Sequence, residues 1–206
     1  IFTRFDSYNS RSEPGSFFAG GKKAYLDRIE WLEIPDEETK IAGIETGEWD
    51  IVDYAGLDFF QRLDSNPDIG VMISTPGNQS SITMQSNVFP TDNKLVRQAI
   101  GAAINAEDHM ASLGDPALWM LCPAVFFCGT PLESDVSAEF YNENNPERAK
   151  ELLAQAGYNG EPIVIMNPTD YPQLTPLGFV LKPQLEKAGF NVVMPTMDWA
   201  SIVGKL

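Results

Sequence analysis

The chain has 206 residues, of which 43% are apolar, a fraction that is ordinary for a globular protein and sufficient for a packed core. Its 29 acidic and 14 basic residues give a net charge of −15, which argues against nucleic acid and against an anionic membrane surface as partners. No apolar run approaches the roughly 18–20 residues that a membrane-spanning helix needs.

The first half of the chain is predicted to alternate strands and short helices. Residues 1–23 are rich in Ser, Gly, Asn and Arg, which is typical of a surface loop. The first helix has the best-defined ends, because Asp36 is a suitable N-terminal cap and Gly47 a suitable stop. Ile29 and Trp31 are expected to face inward from the first strand. We predict strands at 25–34, 50–54, 69–74 and 81–86, a helix at 58–63 and a turn at 76–78.

A junction between strand and helix at residues 87–105, NVFPTDNKLVRQAIGAAIN, is specified more sharply than its surroundings. Pro90 favours an extended residue before it, and Asp92 can accept a hydrogen bond from a free N–H group of the first helical turn. Apolar pairs recur about once per turn as far as Ile104, so a helix with one buried stripe should extend to about Asn105.

The second half is predicted to continue as helix, long loop, helix, strand, helix, strand, helix. Residues 114–140 contain several Pro and Gly residues and form the irregular loop. Asn145 should cap a helix that ends at Gly157. A helix over 174–188 contains Pro183, where a kink or break is expected, and Asp198 should cap the last helix. Strands are predicted at 163–166 and 192–194, and this alternation indicates an α/β fold.

No catalytic constellation is present in the sequence. His109 is the one histidine, and its place at a helix end favours a solvated side chain over a catalytic base. The sequence has no GxSxG, P-loop or GxGxxG motif, and its runs of carboxylates are typical of solvated faces. One histidine and two cysteines are also too few for a Cys/His zinc site. The sequence therefore predicts a protein that is not an enzyme and that has neither a cofactor nor a metal.

Polar and aromatic residues at loop positions are the remaining candidates for ligand contact. Thr169, Asp170 and Tyr171 follow a buried strand, and ligands of α/β proteins tend to bind beyond the carboxyl ends of strands. An ordinary strand-to-helix turn explains the same three residues. Trp119, on the long loop, fits either a pocket or the core, whereas Trp199 is expected in the core.

The two cysteines, Cys122 and Cys128, lie close together in the loop LCPAVFFCG. They fit a small disulfide loop if the compartment is oxidising, and they equally fit two buried free thiols. The sequence leaves both possibilities open.

Several segments, taken in order, resemble one family. These are TGEWDIVD at 46–53, NVFPTDNKLVRQAIGAAIN at 87–105 and NPERAKELLAQAGYNG at 145–160, with AYLDRIEWLEIPDEETKIAGIETGE preceding the first. Together they resemble the extracytoplasmic solute-binding proteins of ABC transporters, in the dipeptide, oligopeptide and nickel-binding family. Asn105 and Gln155 depart from the acidic residues that are usual there, and both departures look like surface variation.

The resemblance implies a type II, periplasmic-binding-protein-like architecture with two lobes, of which this chain is a part. Residues 1–87 would belong to the discontinuous first lobe, and residues 88–206 to most of the contiguous second lobe. The chain near the crossing between the lobes would face the ligand with Gln85, Ser86 and Asn87. The loop after the strand at 163–166 would face it with Thr169, Asp170 and Tyr171. Parts of the first lobe and the C-terminal end of the parent protein would then lie outside this chain.

The implied function is to capture a peptide-like or other small solute and to deliver it to ABC permease subunits in the membrane. The implied location is the periplasm or, in a Gram-positive source, the outer face of the membrane, to which the protein would be tethered. The full-length protein is expected to be a monomer. A sensing or chaperone-like protein of the same fold is the alternative, and a hydrolase that uses acidic groups is a weaker one. The solute itself is not specified by the sequence.

Overall fold

The computed structural model describes residues 1–16, 18–75, 77–136 and 138–205. The chain forms two compact units, Ile1–Val52 and Asp53–Leu206. In the described residues the α-helices are α1 Glu37–Thr46, α2 Phe60–Asp64, α3 Lys94–Ala103, α4 Ala106–Ala111, α5 Pro146–Ala156, α6 Thr175–Lys187 and α7 Trp199–Val203. The strands are β1 Phe2–Thr3, β2 Arg28–Ile29, β3 Pro162–Val164, β4 Asn167–Pro168, β5 Asn191–Val193 and β6 Thr196–Met197. Short 3-10 helices cover Leu57–Phe59, Pro116–Leu118 and Ala138–Phe140.

The first unit is built around helix α1, whose ends are those that the sequence predicts. The Asp36 carboxylate accepts a hydrogen bond from the Thr39 N–H at 2.8 Å, and Gly47 ends the helix in the left-handed conformation, with φ of 75°. The strand predicted at 25–34 is reduced to the two residues of β2, which pair antiparallel with β1 inside the predicted loop. Ile29 and Trp31 are exposed rather than inward, so that prediction is wrong.

Three further predicted strands do not form. Residues 50–54 are irregular, and the described residues of 69–86 also contain no strand. A strand requires a hydrogen-bonded partner elsewhere in the chain, and the described residues supply none for these segments. The predicted turn at 76–78 includes Pro76, which lies outside the described residues. The helix predicted at 58–63 is confirmed as a 3-10 turn followed by α2.

The helix of the junction at 87–105 is confirmed, but its ends differ from the prediction. Asn93, not Asp92, caps α3, because Asn93 is the residue with extended dihedral angles and its Oδ1 accepts from the Leu95 N–H at 2.9 Å. The Asp92 N–H is bonded to the Val88 carbonyl in the preceding turn. At the other end the chain leaves the helix at Ile104, and Asn105 then caps α4.

Helix α5 confirms the sequence prediction at both ends, with Asn145 bonded to the Arg148 N–H at 3.0 Å and Gly157 in the left-handed conformation. Helix α6 is also confirmed. It is one continuous helix from Thr175 to Lys187, so there is no break at Pro183, while a kink there stays a prediction. Leu181 and Leu185 are buried on either side of the proline, so tertiary packing holds a helix that local preference would interrupt.

A parallel ladder joins the two chain segments on either side of α6. Strand β3 pairs with β5 and β4 pairs with β6, with Ile163 opposite Val192 and Asn167 opposite Thr196. The Ile165 N–H donates to the Val193 carbonyl at 2.9 Å, which carries the pairing across the gap between β3 and β4. The strands predicted at 163–166 and 192–194 are therefore confirmed within one or two residues.

The core of the second unit lies between this ladder and helices α3, α5 and α6. Its buried members are Val96, Ala99, Ile100, Ala102, Ala103, Ala149, Leu152, Leu153, Ile163, Leu181, Leu185, Ala188, Phe190 and Val192. Small alanines on α3 and α5 let these two helices pack closely, while the larger residues of α6 and the strands fill the remaining space. This core fixes the position at which the ladder ends.

Candidate functional site

The carboxyl edge of the parallel ladder brings together two loops that are distant in sequence. The Thr169 N–H donates to the Met197 carbonyl at 3.0 Å, one residue beyond the paired ends of β4 and β6. Because the strands are parallel, the residues after each strand emerge at the same edge. Thr169, Asp170 and Tyr171 therefore lie beside the start of α7.

Asp170 connects these two loops directly. Its exposed carboxylate accepts a hydrogen bond from the Trp199 backbone N–H at 2.7 Å. The Tyr171 and Trp199 rings face each other, with centroids 5.1 Å apart and planes tilted by 41°. Both rings are partly accessible, at 38% and 37% exposure. The edge thus presents a carboxylate beside an aromatic pair, a combination that can take both a polar and an apolar part of a ligand.

Trp199 was not among the predicted ligand residues, and its predicted place in the core is wrong. It begins α7 directly after Asp198, whose carboxylate caps the helix by accepting from the Ser201 N–H at 2.8 Å. Its backbone N–H binds Asp170, so its ring lies over Tyr171 instead of entering the core. The signal that could have found it is topological, since Trp199 follows a parallel strand as Thr169 does.

The acidic character of this edge is reinforced by the cap. Hydrogen bonds from the Ser201 hydroxyl, and then from its backbone N–H, lower the pKa of Asp198 below its usual value. Asp198 therefore remains ionised at neutral pH. It follows that β6 is succeeded by a fixed negative charge next to Trp199.

The second group of predicted residues lies on the exposed segment ahead of α3. Gln85, Ser86 and Asn87 are all exposed, and the Gln85 carbonyl accepts a hydrogen bond from the Thr91 hydroxyl at 2.6 Å. In the described residues, no hydrogen bond or ring contact joins these three residues to the edge at 169–171. Their role in ligand binding stays a prediction.

Trp119 lies on the long loop and contacts the same loop. Its indole N–H donates to the Gly114 carbonyl at 3.2 Å, and the side chain is half-buried. The bond folds the loop back across the 3-10 turn Pro116–Leu118. The structure does not connect Trp119 with the edge, so its predicted ligand contact also stays a prediction.

Cys122 and Cys128 form a disulfide, with Cα atoms 5.8 Å apart, so the alternative of two free thiols does not hold. The Cys128 N–H also points at the Cys122 sulfur, at 3.1 Å. The disulfide closes a loop around Ala124, which is 3% exposed. The closed loop is therefore a fixed feature of an otherwise irregular stretch.

His109 is not the solvated residue that the sequence predicts. It is half-buried, and its Nε2 lies 3.1 Å from Gln184 Oε1 on α6. Burial lowers the pKa of His109, although the contact with Gln184 and the charge of Asp108 act in the opposite direction. Among the described residues there is also no group of His, Cys, Asp or Glu side chains that could hold a metal ion.

The comparison that decides the family covers nearly the whole chain. The family model described as bacterial extracellular solute-binding proteins, family 5 Middle, matches residues 1–205. The chain belongs to this family. The resemblance drawn from the segments at 46–53, 87–105 and 145–160 is thereby confirmed.

Relatives within the solute-binding family 5 share modest sequence identity with this chain. The chain is 27% identical over 209 residues to a probable peptide ABC transporter periplasmic-binding protein, y4tO, of Sinorhizobium fredii, and covers 39% of it. It therefore spans well under half the length of this relative.

Solved structures of the family confirm the predicted fold class. The binding protein MoaA of A. tumefaciens R10, solved with mannopinic acid, superposes with a TM-score of 0.71 at 24% identity, covering 91% of this chain and 37% of MoaA. The periplasmic binding protein DppA of Helicobacter pylori, solved with the peptide STSA, gives 0.64 at 25% identity over 89% of this chain and 35% of DppA. The α/β, periplasmic-binding-protein-like fold of a partial chain is thus established. In the described part of the chain, no helix is both long enough and apolar enough to cross a membrane.

Proposed function

We propose that the protein that carries this chain is the substrate-binding component of an ABC importer. It captures a peptide-like or other small solute between two lobes and delivers it to permease subunits in the membrane. The match of the family model to residues 1–205 carries this proposal. The mechanism is closure around the ligand, with no covalent step. The location that goes with this role is extracytoplasmic, in the periplasm or tethered to the outer face of the membrane, and the protein acts as a monomer.

The lobe boundary and the ligand residues are part of the same proposal. Residues 1–87 belong to the first lobe and residues 88–206 to the second, with Gln85, Ser86 and Asn87 at the crossing. Thr169, Asp170 and Tyr171 contribute from the carboxyl edge of the ladder, and Trp119 from the long loop. The geometry supports the edge most directly, because a carboxylate and two partly exposed rings are held there by the 2.7 Å bond between Asp170 and the Trp199 N–H.

Binding to the full-length protein tests the proposal. A solute that binds only the folded state, and that is present at a concentration of about 100 times its Kd, raises the free energy of unfolding by about 2.7 kcal/mol. We expect such stabilisation from one member of a panel of short peptides, opines and sugars in a thermal-shift screen, followed by calorimetric titration. If the panel leaves the protein unchanged while a panel member is chemically converted, the protein is an enzyme and the proposal is wrong.

A variant pair tests the ligand edge. Asp170→Asn keeps the shape of the side chain but removes its charge, and should weaken binding of a solute that carries an ammonium group. Asp68→Asn is the matched control, because Asp68 is an exposed aspartate whose hydrogen bond to Asn66 Oδ1 comes from its backbone N–H and not from its carboxylate. Equal affinities for the two variants would remove Asp170 from the site.

A further inference from the structure

The disulfide loop is bonded to the chain segment that leads to the predicted crossing residues. Gln79 Nε2 donates to the carbonyl oxygen of Ala124 at 2.9 Å, across 45 residues of sequence. Ala124 is 3% exposed and lies inside the loop closed by Cys122 and Cys128. The acceptor is therefore held in place by its burial and by the covalent ring around it, whereas the donor belongs to an exposed segment.

That segment has few other attachments. The described residues 77–86 contain no helix or strand, and all except Met84 are exposed. Met84 packs against the core cluster, and the next residue, Gln85, accepts the Thr91 hydroxyl through its carbonyl. The segment is thus attached near its C-terminal end by Met84 and Gln85, and near its N-terminal end by Gln79. The chain between Gln79 and Gln85 spans at most about 20 Å when fully extended.

We propose that Gln79 is a positioning residue, through which the loop closed by Cys122 and Cys128 holds the 77–87 segment and thereby sets the affinity for solute. The proposal rests on the proposed function, because Gln85, Ser86 and Asn87 contact the solute only if the protein is a solute-binding component. Gln79 itself need not contact the solute. The Gln79 side chain fixes the direction in which the chain approaches Gln85, Ser86 and Asn87, which contact the solute.

The first measurement is limited proteolysis of the full-length protein without solute, in which a protease of broad specificity is used and cleavage within 77–87 is followed by mass spectrometry. Gln79→Glu has nearly the shape of glutamine but no N–H donor, so the bond to Ala124 is lost. A protease cleaves the segment while it is detached, and a net hydrogen bond is worth roughly 0.5–1.5 kcal/mol, so cleavage within 77–87 should become about 2- to 10-fold faster. The double variant Cys122→Ser, Cys128→Ser should give a similar increase. Adding Gln79→Glu to it should change little, because both changes break one connection.

The second measurement is the affinity for the peptide Ser-Thr-Ser-Ala and for mannopinic acid by calorimetric titration. Gln79→Glu should weaken binding of a bound probe by about 2- to 10-fold, the range set by the same bond. Gln79→Lys, which retains an N–H donor, should restore part of the affinity. Gln155→Glu is the charge-matched control, because Gln155 is an exposed glutamine on helix α5, and it should leave the affinity unchanged.

The outcomes separate this proposal from the one on which it rests. An unchanged rate of cleavage within 77–87 in Gln79→Glu overturns the positioning role whether or not a solute binds. Faster cleavage with wild-type affinity overturns the claim that the connection sets affinity. Conversion of a probe by the wild-type protein contradicts the proposed function instead, while the proteolysis result still decides whether Gln79 positions the segment.

Discussion

Gly178 on α6 is a position at which the addition of one methyl group should have a large effect on stability. A Cβ atom at Gly178 would lie 2.2 Å from Oδ1 and 2.6 Å from Cγ of Asn167. Asn167, in β4, is 2% exposed and donates from Nδ2 to the Thr175 carbonyl at 3.1 Å, so its side chain is held against the first residue of α6. Gly178→Ala therefore forces Asn167 to move by about 1.2 Å to reach ordinary contact at 3.4 Å.

The magnitude follows from three terms of known sign. Overpacking a close contact destabilises by about 1–3 kcal/mol. Displacing Asn167 leaves a buried amide without its partner, which costs about 1–3 kcal/mol. Alanine inside a helix is favoured over glycine by about 1 kcal/mol, which offsets part of the loss. The net expectation for Gly178→Ala is a decrease of about 3 kcal/mol in the free energy of unfolding.

Urea unfolding of the full-length protein, compared at a common m-value, measures this change. In an Asn167→Ala background Oδ1 and Cγ are gone and only the Cβ atom remains, 3.2 Å from the added methyl group. Most of the loss should therefore disappear, so that Gly178→Ala in this background lies between neutral and about 1 kcal/mol stabilising. Gly101→Ala is the control, because Gly101 lies in α3 with nothing within 4 Å of its added Cβ, and it should stabilise in either background. A neutral Gly178→Ala, or one with the same effect in both backgrounds, would refute the reasoning.

Three further predictions concern stability and pH. Burial lowers the pKa of His109, so the unfolded state binds a proton below about pH 6.5 while the folded state does not. The free energy of unfolding therefore decreases as the pH falls through that value. His109→Gln should reduce the dependence of this free energy on pH between pH 7 and pH 5, measured by urea unfolding at each pH. Asn145→Ala removes the cap of α5 and should destabilise by about 1 kcal/mol, whereas Asn145→Asp should restore most of the loss. Leu185→Ala at a side chain with 1% exposure should destabilise by about 2–5 kcal/mol, measured by the same unfolding assay.

The helices could be predicted because their signals are local. The cap at Asn145, the proline after it and Gly157 all lie within one helix and its ends, and the structure places each as expected. Asn93 displaced Asp92 as a cap because both residues can accept the same kind of hydrogen bond. Which of them caps depends on dihedral angles that the preceding turn sets, and residue type alone does not report them.

The strands were predicted less well because pairing depends on distant residues. The segments 69–74 and 81–86 have strand-like composition, but no partner strand among the described residues reaches them. The segments at 163–166 and 192–194 have a partner in each other. The helix between them returns the chain to the same side, so the ladder forms where the predicted α/β alternation requires it.

The ligand edge could be predicted only in part, because it also depends on the pairing of strands that are distant in sequence. Thr169, Asp170 and Tyr171 follow a strand that is visible in the sequence as an apolar run. Trp199 follows β6, which has only two residues and no such run, and Asp198 before it already explained the local pattern as a helix cap. That the two loops meet depends on the register of β4 against β6, which is a tertiary property.

Stability and binding are expected to be coupled at the edge and separable away from it. Asn167 is buried at the start of β4, and Asp170 is exposed three residues later. A side chain that fixes the strand from inside therefore also fixes where the carboxylate and the Tyr171 ring emerge. Leu185 packs in the same core, but lies far along α6 from these residues. Variants of Asn167 should thus alter affinity as well as stability, whereas Leu185→Ala should lower stability and leave the affinity of the remaining folded protein unchanged.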